Sequence, residues 1–114
     1  MKINSLYKED LTILVVDGEL DASSSILLDE SIESVVAQGK KKILIDGQSL
    51  NYISSAGLGV FMSHVQEFEE KGIQMILFGL NEKVLRVFQI LGLDQLLSIT
   101  ASEDEAIQLL NASL

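Results

Sequence analysis

Cysteine and proline are both absent from this chain of 114 residues. Without cysteine there is no disulfide and no thiolate metal site, and the redox compartment leaves no mark on the sequence. Without proline, the commonest punctuation of interdomain linkers is missing, which favours one compact unit. Long apolar runs are missing too: the longest extend only a few residues, far short of a membrane span. The opening Met1-Lys2-Ile3-Asn4-Ser5 lacks the apolar core of a signal peptide, so a soluble, cytoplasmic protein is expected. Positive charge is scarce: 8 Lys and Arg stand against 17 Asp and Glu, a net charge of −9. That balance argues against general binding to nucleic acid or insertion at an anionic membrane. The one basic cluster, Lys40-Lys41-Lys42, reads as a solvated loop before an apolar strand.

What is present is a core. A hydrophobic content of 47% argues against disorder, and a chain of this length buries enough surface to fold without a metal. Residues 1–114 are read as a single domain. Strand-like runs cover Ile3 to Tyr7 and Leu11 to Val16, joined tightly through Glu9 and Asp10 as a hairpin. Asp17-Gly18-Glu19-Leu20-Asp21 is expected to turn the chain. From Ala22 to Gln38, Leu28, Ile32, Val35 and Val36 make a helical apolar stripe, ended by Gly39. A buried strand is predicted at Ile43 to Asp46, then a helix from Ala56 to Glu70 that buries Leu58, Phe61, Val65 and Phe68. Ile73 to Phe78 reads as another buried strand. Asn81 caps a predicted helix reaching Leu91, with Val84, Leu85, Phe88 and Leu91 inward. A short strand near Leu97 to Thr100 and a last helix on Ala106, Ile107 and Leu110 complete the order ββαβαβαβα. The fold class is therefore α/β: a mixed, mostly parallel sheet of about five strands, with an N-terminal hairpin and about four helices.

The stretch from Asn51 to Phe61 carries the chemistry. It places Ser54 and Ser55 where a strand hands over to a helix, beside free backbone N–H groups and the positive end of the macrodipole. A phosphate on Ser55 would meet an environment suited to negative charge, which suggests a switch more than a catalyst. Both serines also read as ordinary N-caps, and the reciprocal capping box is absent because Gly57 and Leu58 stand in place of Glu or Gln. Gly57 and Gly59 read as small residues that let the helix pack closely on a strand. A triad of Ser55, His64 and Asp46 can be written on paper, but there is no Gly-x-Ser-x-Gly elbow, and His64 reads as solvated or edge-packed. Gly57-Leu58-Gly59 is no dinucleotide fingerprint, since Met62 occupies the third glycine position. No cofactor, metal cluster or acid–base pair is implied, and an enzyme is not expected.

Three spaced segments in order then resemble one family. Gly18-Glu19-Leu20-Asp21, Tyr52 to Val60, and Asn81 to Phe88 followed by Leu91-Gly92-Leu93 are similar to a stand-alone STAS domain. That family includes bacterial anti-sigma factor antagonists and cytoplasmic domains of sulfate transporters. The resemblance implies that an anti-sigma factor, itself a serine kinase, binds the unphosphorylated protein. Phosphorylation of Ser55 ends that binding and a phosphatase restores it. It further implies that Asp21 lies at the surface beside the acceptor, and that Asp21, Ser54, Ser55, Ala56 and Gly57 form the partner surface. Two departures stand out. Ser54 replaces an aspartate frequent in such antagonists, and Gly47 follows Asp46 where an apolar residue is usual, which predicts a more flexible loop.

Two other roles fit parts of the same pattern. A STAS domain also serves as an accessory subunit of lipid or anion transport machinery, docking without a kinase. Separately, Leu14 to Glu19 has the look of a receiver-domain opening, with Asp46 as an aspartate phosphoacceptor. The acidic pair that would hold Mg²⁺ is interrupted by Gly18, and too few elements lie between Asp17 and Asp46.

Overall fold

Strand β2, Leu11–Leu20, is the element around which the others are placed, and it runs four residues past Val16. The computed structural model describes residues 1–112. Strand β1, Lys2–Lys8, pairs antiparallel with β2 from Lys2↔Asp17 to Lys8↔Leu11, closing the expected hairpin through Glu9 and Asp10. On its other side β2 pairs parallel with β3, Lys42–Asp46, from Leu11↔Lys42 to Val15↔Asp46. The expected turn over Asp17 to Asp21 is replaced by a bulge at Gly18, whose φ of +116° is a conformation that side chains rarely adopt. Past the bulge, β2 continues and takes a new parallel neighbour, β4, Leu50–Ile53. That short strand adds a sixth to the five expected. Strands β5, Gln74–Phe78, and β6, Ser98–Thr100, extend the sheet to the order β1-β2-β3-β5-β6.

Alternation along the strands sends side chains to two cores. Leu14, Val16, Ile43, Ile45 and Leu77 point to one face and Ile13, Leu44, Ile76 and Phe78 to the other. The first face is covered by α1 (Ala22–Ala37), α2 (Ser55–Ser63), α3 (Val65–Lys71) and α4 (Glu82–Ile90); α5, Glu103–Asn111, covers the second with Ala106 and Leu110. Burial on both faces is why β3 and β5 read as continuous apolar runs. This topology, with an antiparallel edge strand, is not the fully parallel doubly wound order of a receiver.

The single helix expected from Ala56 to Glu70 is broken at His64 into α2 and α3. His64 is neither solvated nor at an edge: it is 6% exposed, its Nε2 lies 2.7 Å from Asp29 Oδ1 of α1, and its ring stacks on Phe68. Asn81 caps α4 as expected, its Oδ1 accepting from Val84 N at 2.8 Å, while its Nδ2 donates to Leu50 O and ties the helix to β4. Leu91, expected inward, is exposed; it follows the last helical residue, and Gly92 at φ +71° then turns the chain. Val65, Leu85, Val36 and Ile107 are half-buried. The three lysines diverge: Lys42 pairs with Asp10, Lys41 donates to Lys71 O, and Lys40 lies over the Tyr7 ring. Among the described residues, no helix is long and apolar enough to cross a membrane.

One buried group is poorly served. Thr12 is fully buried in β2, and its Oγ1 makes no hydrogen bond among the described residues. Thr12→Val removes that unsatisfied oxygen at similar shape. The expected result is a gain of about 1 kcal/mol, read as a higher urea midpoint at unchanged m.

Candidate functional site

Strands β2 and β4 end side by side, and this places the site. Leu20 and Ile53 are register partners, and Ser54 N donates to Leu20 O at 2.9 Å. One residue further on, each chain enters a helix: Asp21 caps α1 and Ser54 caps α2. The two helix N-termini therefore open next to each other at the C-terminal ends of parallel strands, the usual position for recognition in such sheets. The proximity of Asp21 to Ser55, which the sequence supplied only by resemblance, follows from this pairing.

Ser54 has extended backbone at φ −92° and ψ 171°, and its Oγ accepts from Gly57 N at 3.2 Å. The capping role is thus taken by Ser54. Ser55 is the first helical residue and is exposed, and its hydroxyl is in no hydrogen bond among the described residues. Ala56 is exposed as well, whereas Gly57 is buried. A Cβ at Gly57 would lie 2.8 Å from Leu20 Cδ2 and 3.0 Å from Ile53 Cγ1, so this glycine does serve close packing. Gly59 does not: nothing lies within 4 Å of a Cβ built there, contrary to the reading of both glycines as packing residues.

Asp21 is held by a network that the sequence pattern conceals. Its Oδ1 accepts from Ser24 N and Ser24 Oγ, each at 2.9 Å, and from Ser23 Oγ at 3.0 Å. Ser24 Oγ also accepts from Asp21 N, completing a capping box with serine in the place usually held by Glu or Gln. Asp21-x-x-Ser24 was the available signal. The bond from Ser24 N, then those from the two hydroxyls, hold the Asp21 pKa at about 2, below its ordinary 3.8. A depressed carboxylate stabilises the fold above its unfolded pKa and loses that contribution as pH falls through the folded value. Wild type should therefore lose stability relative to Asp21→Asn as pH falls from about 4 toward about 2. Asparagine caps nearly as well as aspartate at neutral pH, while Asp21→Ala should lower the urea midpoint there. Urea titrations across that pH range check both.

The remaining carboxylates shape the charge of the site. Asp17 and Glu19 are exposed along β2 and Asp46 ends β3, where its Oδ1 accepts from Gln48 N at 2.9 Å. None of these, nor Asp21, is in an ion pair with a basic side chain among the described residues. Gly47 is buried and held at both ends, donating to Phe78 O and accepting from Leu50 N, with Leu80 packed where a Cβ would stand. The expected flexible loop is instead a fixed crossing between β3 and β4.

Other combinations are not assembled. Ser55 and His64 lie at opposite ends of α2, roughly 13 Å apart along the axis at the usual rise. His64 is engaged with Asp29 and Asp46 with Gln48 N, so the paper triad has no common centre. Among the described residues, no three His, Asp or Glu side chains are grouped to hold a metal ion, including Asp17, Glu19 and Asp46.

Comparison with known proteins agrees with this geometry. A family model for the STAS domain matches residues 2–106. The anti-sigma-B factor antagonist of Listeria monocytogenes is 34% identical over 94 residues, covering 81% of each chain. That of Bacillus subtilis is 30% identical over 110 residues, covering 95% of this chain and all of its own. Among solved structures, a Thermotoga maritima protein assigned as an anti-sigma factor antagonist gives a TM-score of 0.86 at 25% identity, covering 93% of this chain and 92% of its own.

Proposed function

The chain belongs to the STAS domain family, and on that premise we propose that it is an anti-sigma factor antagonist controlled by phosphorylation of Ser55. Unphosphorylated, it binds an anti-sigma factor that is also a serine kinase; phosphorylated, it releases it, and a phosphatase resets the cycle in the cytoplasm. The observation that carries this reading is the state of Ser55. Ser55 is exposed at the first position of α2 and its hydroxyl is in no hydrogen bond among the described residues, with Asp21 capping the adjoining helix. The neighbouring serine makes the cap, so Ser55 is free to react without loss of the helix start. Glu19 and Asp21, in no ion pair with a basic side chain among the described residues, offer negative charge to a basic partner surface. A phosphate adds about −1.5 to −2 to the same place.

The test is recovery from source lysate with three baits: wild type, Ser55→Ala and Ser55→Asp. An ATP-binding serine kinase recovered by the first two and lost by the third supports the switch. Transport components recovered equally by all three would keep the fold and replace the function.

A further inference from the structure

Gly59 is the residue of α2 that the fold does not explain. Its φ is not positive, and an added Cβ would meet nothing within 4 Å. Glycine inside a helix is disfavoured relative to alanine, and here no internal contact offsets it. Gly59 lies in an open groove of about 450 Å³ between α1 and α2, with Ala56 and Val60 on its own side and Ile26, Asp29 and Glu30 across from it. Ala56, which lines the groove, is the residue after Ser55. Ile26 is 61% exposed, an apolar side chain left facing water beside it. No cation lines the groove; Asp29 is turned to His64, and Glu30 is in no ion pair among the described residues.

We infer that this groove receives a basic amphipathic helix of the kinase, a contact separate from the one made at Ser55 itself. The missing side chain at Gly59 lets that helix approach the α2 backbone, Ile26 meets its apolar side, and Glu30 meets a lysine or arginine. The exposed carboxylate of Glu30 on an acidic protein favours a cationic segment, and helix-in-groove docking uses this combination of apolar anchor and close approach. The inference rests on the antagonist reading above and extends the partner surface along α1 and α2.

The experiment uses the kinase recovered by wild type, purified and titrated calorimetrically against the full-length variants. Gly59→Ala should melt no lower than wild type yet bind about threefold to tenfold more weakly. Gly59→Leu should remain folded and bind about a hundredfold more weakly. Glu30→Lys should lose about tenfold, with a shallower salt dependence. Binding by Gly59→Leu and Glu30→Lys within twofold of wild type would overturn the groove while leaving the Ser55 switch intact. If wild type itself binds no kinase, the functional reading fails and the groove inference with it, so the two failures are distinguishable.

Discussion

Phosphorylation of Ser55 is expected to weaken the kinase complex by at least about a hundredfold while leaving the free domain folded, with its melting temperature unchanged or raised. The two halves of this result have separate causes. In the free domain, the phosphate sits on the first residue of α2, at the positive end of the helix, where a negative group gains about 0.3–1 kcal/mol. Ser54 already satisfies Gly57 N, so nothing in the cap has to break, and the exposed position leaves the phosphate hydrated. In the complex the same group is covered. Desolvating that charge beside Asp21 costs several kcal/mol unless cations of the partner meet it, and a hundredfold requires only about 2.7 kcal/mol. Ser55→Ala should bind within a few-fold of wild type and accept no phosphate. Ser55→Asp should fall between, since one carboxylate carries less charge and fewer acceptors than phosphate. Calorimetric titration and thermal melting of the phosphoprotein check the pair. Undiminished binding would end the switch reading. A large drop in melting temperature would instead locate the switch in a change of fold.

The sequence shows some of this arrangement and hides the rest for identifiable reasons. Strands β3 and β5 are legible because both faces are buried, and α1 and α4 because their inward positions repeat at helical spacing. Strand β4 is not, since Leu50 and Ile53 are buried while Asn51 and Tyr52 are exposed, a pattern without strand alternation. It exists only because the bulge at Gly18 carries β2 onward to meet it, through polar residues that read as a turn. The same pairing brings Asp21 beside Ser54 and Ser55. A local reading therefore finds Ser55 as the proposed acceptor but reaches Asp21 only through resemblance. The break at His64 has no proline or glycine to announce it, and its partner Asp29 is distant in sequence. Gly57 and Gly59, identical as letters and two positions apart, have opposite surroundings that only the packed structure distinguishes.

That contrast gives the second large effect. Gly57→Ala is expected to destabilise the domain by roughly 1–3 kcal/mol, the range for overpacking a buried site. The new methyl would stand 2.8 Å from both Cγ and Cδ2 of Leu20 and 3.0 Å from Ile53 Cγ1, where carbon atoms prefer about 3.5–4.0 Å. Neither neighbour yields easily. Leu20 is fully buried, Ile53 nearly so, and they are the register partners that end β2 and β4. The strain is therefore relieved by lifting the first turn of α2, which stretches the Ser54 N to Leu20 O bond and displaces Ser55 with it. Alanine's better helix propensity returns only about 1 kcal/mol. Gly59→Ala collects that gain without the clash, so the difference between the two alanine variants isolates the packing term. Urea unfolding should show Gly57→Ala less stable and Gly59→Ala at least as stable as wild type. Phosphoryl transfer to Ser55 should slow about tenfold or more in Gly57→Ala, because a small misplacement of the acceptor removes its alignment. Equal stability of the two variants would mean that Leu20 and Ile53 accommodate the methyl, and that Gly57 does not set the height of the acceptor above the sheet.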